Sequence, residues 1–169
     1  MKPKARALAI LVLVVVLVAA FGPVAGLAEG PNTPKAYFTG ESCVVATLDG
    51  GTLKDLGNGK LRITGMEQET RDETTDPRTT GDAYIGINLI LDPSTGSGPM
   101  WGTAELVNEL GSWSGHWTGR LDGGASTIRW VAHGSGADEG LVGYWTYSRP
   151  NSEACYDVSG YIVETGAGR

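Results

Sequence analysis

Hydrophobic and polar positions follow two regimes along this chain. Residues 7–21 are an unbroken apolar run. Beyond residue 41, apolar and polar residues alternate in short segments, and glycine-rich turns separate them. Alternation with a period of two is the side-chain period of a half-buried strand. It runs through residues 42–48, 60–70, 83–91, 100–110, 111–121, 126–133, 141–148 and 155–164. Residues 83–91 are the clearest case, with Ile85, Ile87, Leu89 and Leu91 on one face. Asp49-Gly50-Gly51, Gly57-Asn58-Gly59 and Asp122-Gly123-Gly124 are strong turns, and residues 92–99 form a Pro-, Ser- and Gly-rich loop. No 3.6-residue period appears after the apolar run. The pattern predicts an all-β domain of eight or nine antiparallel strands, either a barrel or a sandwich.

Glycine favours the barrel. It supplies 26 of 169 residues, roughly double the ~7% average. Several glycines sit inside strand patterns, where they let strands coil tightly enough to close. Between Gly111 and Gly119, Gly, Trp, Gly, Trp and Gly occupy alternate positions, so one face carries the Trp113 and Trp117 indoles with glycines between them. A closed barrel of this kind is expected to lack both a broad exposed apolar patch and a long unpaired edge.

The N-terminus speaks for export. Lys2, Lys4 and Arg6 precede the apolar run, Gly22-Pro23 follows it, and Gly26-Leu27-Ala28 offers small residues for cleavage after Ala28. That order of parts is a secretory signal peptide. The run is shorter than the ~20 residues that span a bilayer, which favours cleavage over a retained anchor. The expected organisation is a signal helix at 1–28, an extended lead-in at 29–41 and a barrel at 42–169, secreted or in the cell envelope of a bacterium. Removing residues 1–28 takes three of the 13 basic residues and none of the 19 acidic ones, leaving 10 against 19, a charge of −9. Such a chain suits neither nucleic acid nor, once cleaved, an anionic membrane. Cys43 and Cys155, the sole cysteines, read as a disulfide in an oxidising compartment.

Residues from Asp76-Pro77-Arg78 through Gly98-Pro99-Met100-Trp101-Gly102-Thr103, Gly111-Ser112-Trp113, Trp117-Thr118-Gly119, His133-Gly134-Ser135-Gly136 and Gly140-Leu141 resemble a group of uncharacterised exported bacterial proteins. The order of short glycine-rich strands is similar in architecture to the barrel of allene oxide cyclases and dirigent proteins. That likeness implies an antiparallel barrel with a pocket at one end. It carries over no catalytic residue, because no stretch matches the catalytic motifs of either family.

Candidate chemistry is sparse. Trp101, Trp113, Trp117, Trp130 and Trp145 either line a ligand cavity or fill the core of a narrow barrel, and the flanking glycines favour core. His116 and His133 fall on the strand faces opposite the indoles and read as exposed. Glu67 and Glu69 share strand parity with Ile63 and could face a barrel mouth, where paired carboxylates suit glycoside hydrolysis or a cation. A solvated strand end is the simpler reading. Neither a metal-ligand spacing nor a nucleophile elbow occurs, so no metal, cofactor or catalytic residue is assigned. A module binding a small hydrophobic or aromatic-stacking ligand is the leading functional expectation. A cyclase- or isomerase-like enzyme and a structural or partner-binding surface protein are the alternatives. An inward carboxylate or tyrosine, with Glu67, Glu69, Tyr144 and Tyr147 as candidates, would favour the enzyme. N-terminal sequencing of the exported protein is expected to return Glu29; a chain starting at Met1 would overturn the signal-peptide reading.

Overall fold

A computed structural model describes residues 34–150 and 154–165. The expected signal helix and cleavage site lie outside them. Nine strands follow in chain order: β1 (Ala36–Asp49), β2 (Thr52–Asp55), β3 (Leu61–Thr74), β4 (Gly81–Leu91), β5 (Gly98–Val107), β6 (Gly111–Asp122), β7 (Ala125–Gly136), β8 (Leu141–Arg149) and β9 (Cys155–Glu164). One 3₁₀ turn, Pro77–Thr79, joins β3 to β4.

The sheet runs β1-β9-β8-β7-β6-β5-β4-β3-β2, and an additional β1–β3 pairing closes it. The protein is therefore a closed eight-stranded antiparallel barrel with β2 outside it, which excludes the sandwich. β1 makes the closure. Ala36–Cys43 pair with β9, and Gly40–Asp49 pair with β3. It begins at Ala36, inside the segment expected as lead-in, because the Phe38 ring packs on Trp145 (5.4 Å) in the core. Cys43 lies opposite Cys155 in the β1–β9 ladder, and the two form a disulfide across 112 residues.

Three departures from simple alternation matter. In β3, Ile63 faces Leu89 and Met66 faces Ile87, so one extra β3 residue is looped out. Gly65 takes φ +70° there, a conformation that L side chains adopt with strain. Its N–H donates to Asn88 Oδ1 (3.3 Å). The bulge reverses parity: Met66, Gln68 and Thr70 line the interior, and Glu67 and Glu69 turn to the outer face. Second, the Asp49-Gly50-Gly51 turn does not reverse the chain, because β2 continues the line of β1 along β3. Among the described residues the far edge of β2 pairs with no strand, and Val45, Leu48 and Leu53 are exposed around it. The expectation of no unpaired edge fails here, since the β2–β3 ribbon projects past the closure. Third, Gly143 has no room for a side chain, as a Cβ would fall on the Trp145 ring.

On β6 the outward positions Ser112, Ser114, His116, Thr118 and Arg120 are polar, whereas Tyr84, Val107 and Val131 are exposed on β4, β5 and β7. Reduction should add about two protons to the intact mass and lower stability by up to ~4–5 kcal/mol, the loop-entropy contribution for a closure this long. An unchanged melting temperature on reduction would show that the β1–β9 seam holds without its bridge.

Candidate functional site

Inward residues divide the barrel into two halves. Toward the β3–β4 turn the interior is filled. Trp113, Trp130 and Trp145 are each no more than 2% exposed. Trp130 and Trp145 lie 4.5 Å apart between ring centroids, and Trp113 meets Trp145 at 5.3 Å, nearly edge-on. Leu106, Ala132 and Ile162 complete this cluster. The 3₁₀ turn plugs the end. Trp113 Nε1 donates to the Arg78 carbonyl (2.7 Å), and Asn108 Nδ2 donates to the carbonyls of Arg78 (2.9 Å) and Thr80 (3.1 Å). Arg78 is held in turn by a two-pronged pair with Asp76, which keeps the Asp76 carboxyl below its ordinary value.

The other half is hollow. A cavity of ~200 Å³ lies between the strands toward the β6–β7 turn. Its walls include Met66, Ile87, Leu89, Met100, Trp117 and Ile128. Met side chains adapt to irregular apolar shapes, and the indole adds a large flat surface. At the rim the Arg149 guanidinium lies over the Tyr156 ring, 4.7 Å from its centroid. Two wall residues carry buried polar atoms without a hydrogen-bond partner, Ser126 Oγ and Trp130 Nε1. Such atoms are rare because desolvating a donor without compensation costs about 1–3 kcal/mol.

A cluster around Asp72 sits at the junction of the two halves. Asp72 is fully buried on β3. Ser42 Oγ donates to its Oδ1 (2.6 Å), as does Thr70 Oγ1 (3.3 Å). The Tyr147 hydroxyl reaches across from β8 and donates to Oδ2 (3.0 Å). Ser42, Thr70 and Tyr147 line the cavity, so Asp72 stands behind a layer of three hydroxyls. Among the described residues no ion pair reaches it. Burial raises its carboxyl above the ordinary value, and the hydrogen bonds from Ser42, Tyr147 and Thr70 pull the other way. Burial, with the Asp72 charge beside it, pushes the Tyr147 phenol well above its ordinary value. Tyr147 therefore stays a neutral donor.

The five tryptophans separate by role. Trp117 lines the cavity, Trp130 borders it from the filled half, and Trp113 and Trp145 pack behind Trp130. Trp101 lies on the outer wall, where Arg62 covers its ring at 6.0 Å. Glu67 and the two histidines border a hollow on the outer face with Tyr84 and Glu105. Glu69, opposite Tyr84 in the ladder, shares that outer face. Tyr144 stacks on Tyr161 at 4.9 Å. Of the expected carboxylate and tyrosine candidates, Tyr147 alone reaches the cavity. Asp72 and Thr70 were not legible because the Gly65 bulge reverses strand parity ahead of them, and Ser42 of β1 carries no signal beyond a serine in a strand. The legible signal was the run after that glycine, where uncharged Gln68 and Thr70 alternate with charged Glu67, Glu69 and Arg71. Among the described residues no three His, Cys, Asp or Glu side chains assemble as a metal site. No known protein family and no curated protein matches the chain in sequence.

Asp72 and Asp76 should leave opposite marks on stability against pH. The raised Asp72 carboxyl binds its proton more tightly in the fold than in the unfolded chain. Its contribution is full below the ordinary carboxylate value and is lost as pH rises through its raised native value. The lowered Asp76 carboxyl contributes above the ordinary value and loses that contribution as pH falls through its native value. Urea unfolding across the acid range of the parent, Asp72→Asn and Asp76→Asn should give difference curves of opposite slope. Parallel curves would overturn the assignment.

Proposed function

We propose that this chain is an exported barrel that binds a small, largely apolar ligand in its hollow half. The observation that carries the reading is the cavity itself: ~200 Å³, apolar-walled, with the unpartnered Ser126 Oγ and Trp130 Nε1 on its lining. A well-formed apolar pocket with a few polar groups is the usual form of a small-ligand site. The basic, apolar and small-residue order of residues 1–28 supports export, and the Cys43–Cys155 bridge is compatible with an oxidising compartment.

A second reading is an enzyme that folds a reactive substrate in the same cavity. Tyr147 and the Asp72 cluster favour it, because such catalysis needs positioning and a few polar groups. The partner-binding alternative rests on the open edge of β2 and the exposed Val45, Leu48 and Leu53.

Native mass spectrometry of the protein purified from its own organism should show a mass above that of the bare chain. Tryptophan fluorescence should respond to a panel of small apolar compounds, since Trp117 and Trp130 line the cavity. A bare mass together with fluorescence indifferent to the whole panel would sink the reading.

A further inference from the structure

The hydroxyl layer at the cavity floor has a definite polarity. An ionised carboxylate accepts and cannot donate. The hydroxyl protons of Ser42, Thr70 and Tyr147 are all directed at Asp72. A hydroxyl whose single proton is committed has only lone pairs left to offer. The floor therefore presents acceptors to the cavity, and the carboxylate behind them makes those oxygens more electron-rich. The wall has the opposite character, because indole Nε1 of Trp130 can only donate.

From this arrangement we infer that the cavity selects an apolar molecule whose buried end carries a hydrogen-bond donor, an alcohol or amine, over one ending in an acceptor alone or a carboxylate. Asp72 acts as a positioning residue. It sets the direction of three hydroxyls that touch the ligand, and it does not line the cavity itself. A carboxylate head would face the lone pairs of the floor with the Asp72 charge behind them, unfavourable on both counts. This inference rests on the proposed binding of a small apolar ligand and deepens it by naming the head group.

Single-ring probes suit the space, since an apolar cavity of ~150 Å³ admits benzene. Toluene carries no polar atom, anisole only an acceptor, and benzyl alcohol, an isomer of anisole, a donor as well. The full exported chain with its disulfide intact is titrated with each at mildly alkaline pH, read by calorimetry and tryptophan fluorescence. Toluene binding reports the cavity alone. Benzyl alcohol should bind roughly fivefold to tenfold more tightly than anisole, the ratio that one hydrogen bond supplies. In Asp72→Asn the amide donates to the hydroxyls and frees some of their protons toward the cavity, so the ratio should collapse or invert while toluene affinity holds. A purely structural role for Asp72 would weaken all three probes alike, and that result would overturn the inference. Should that variant fail to fold, Tyr147→Phe keeps the ring and removes one acceptor, and the ratio should narrow; an unchanged ratio overturns the inference. Toluene bound with anisole equal to or better than benzyl alcohol removes the donor rule and leaves the cavity reading standing. If no probe binds, both fall.

Discussion

The single constraint behind this molecule is that β1 must pair on both of its edges. Its first part hydrogen-bonds β9 and its later part β3, and that double pairing turns a sheet into a tube. Once eight strands close, the tube's width is set within narrow limits. Side chains then decide how much of it is solid. Here three buried indoles, Phe38 and Leu106 fill one half. The opposite half, walled by shorter side chains such as Ala83, Ala104 and Ile87, is left open. The cavity is thus a consequence of where bulk is placed along strands of similar length.

The Asp72 cluster occupies the boundary between those halves. A buried carboxylate with no cation beside it is unfavourable, and a core built for stability alone would place an apolar residue there. Three hydroxyls from β1, β3 and β8 converge to satisfy it. The Tyr147 link is the longest in sequence of the three, spanning 75 residues, and it ties the wall near the chain's end to the wall near its start. Asp138, the other buried carboxyl among the described residues, lies near Arg78 at the plugged end, away from the cavity.

Much of the architecture was legible because alternation, glycine and turn chemistry agree over most of the chain. The Gly111–Gly119 stretch gave both the strand and its indole face, and the cysteine pair gave its bridge. What escaped detection shares a single physical origin. Parity arguments hold only while a strand is regular, and a glycine at positive φ inserts an extra residue without any change in hydrophobic pattern. Gly65 did so, sending Glu67 and Glu69 outward and Asp72 inward. The β2 extension escaped for a related reason: Gly50-Gly51 reads as a reversal, yet the chain continues in nearly the same direction. Trp101 illustrates the reverse limit, as an indole lodged under an arginine on the outer wall looks in sequence like one in the core.

The seam between β1 and β9 has a bearing on how the barrel comes to exist. Every other neighbouring pair, β1–β3 among them, joins strands from nearby parts of the chain and can form early from local contacts. The β1–β9 pairing brings together the first and last strands, so its contact order is far higher than that of any hairpin in the molecule. Loop-closure entropy opposes that step until the intervening strands have assembled. A nascent chain would then pass through an open, curled sheet with two raw edges before the tube shuts. The Cys43–Cys155 bridge lies across that seam, so the pairing of highest contact order is the one held covalently.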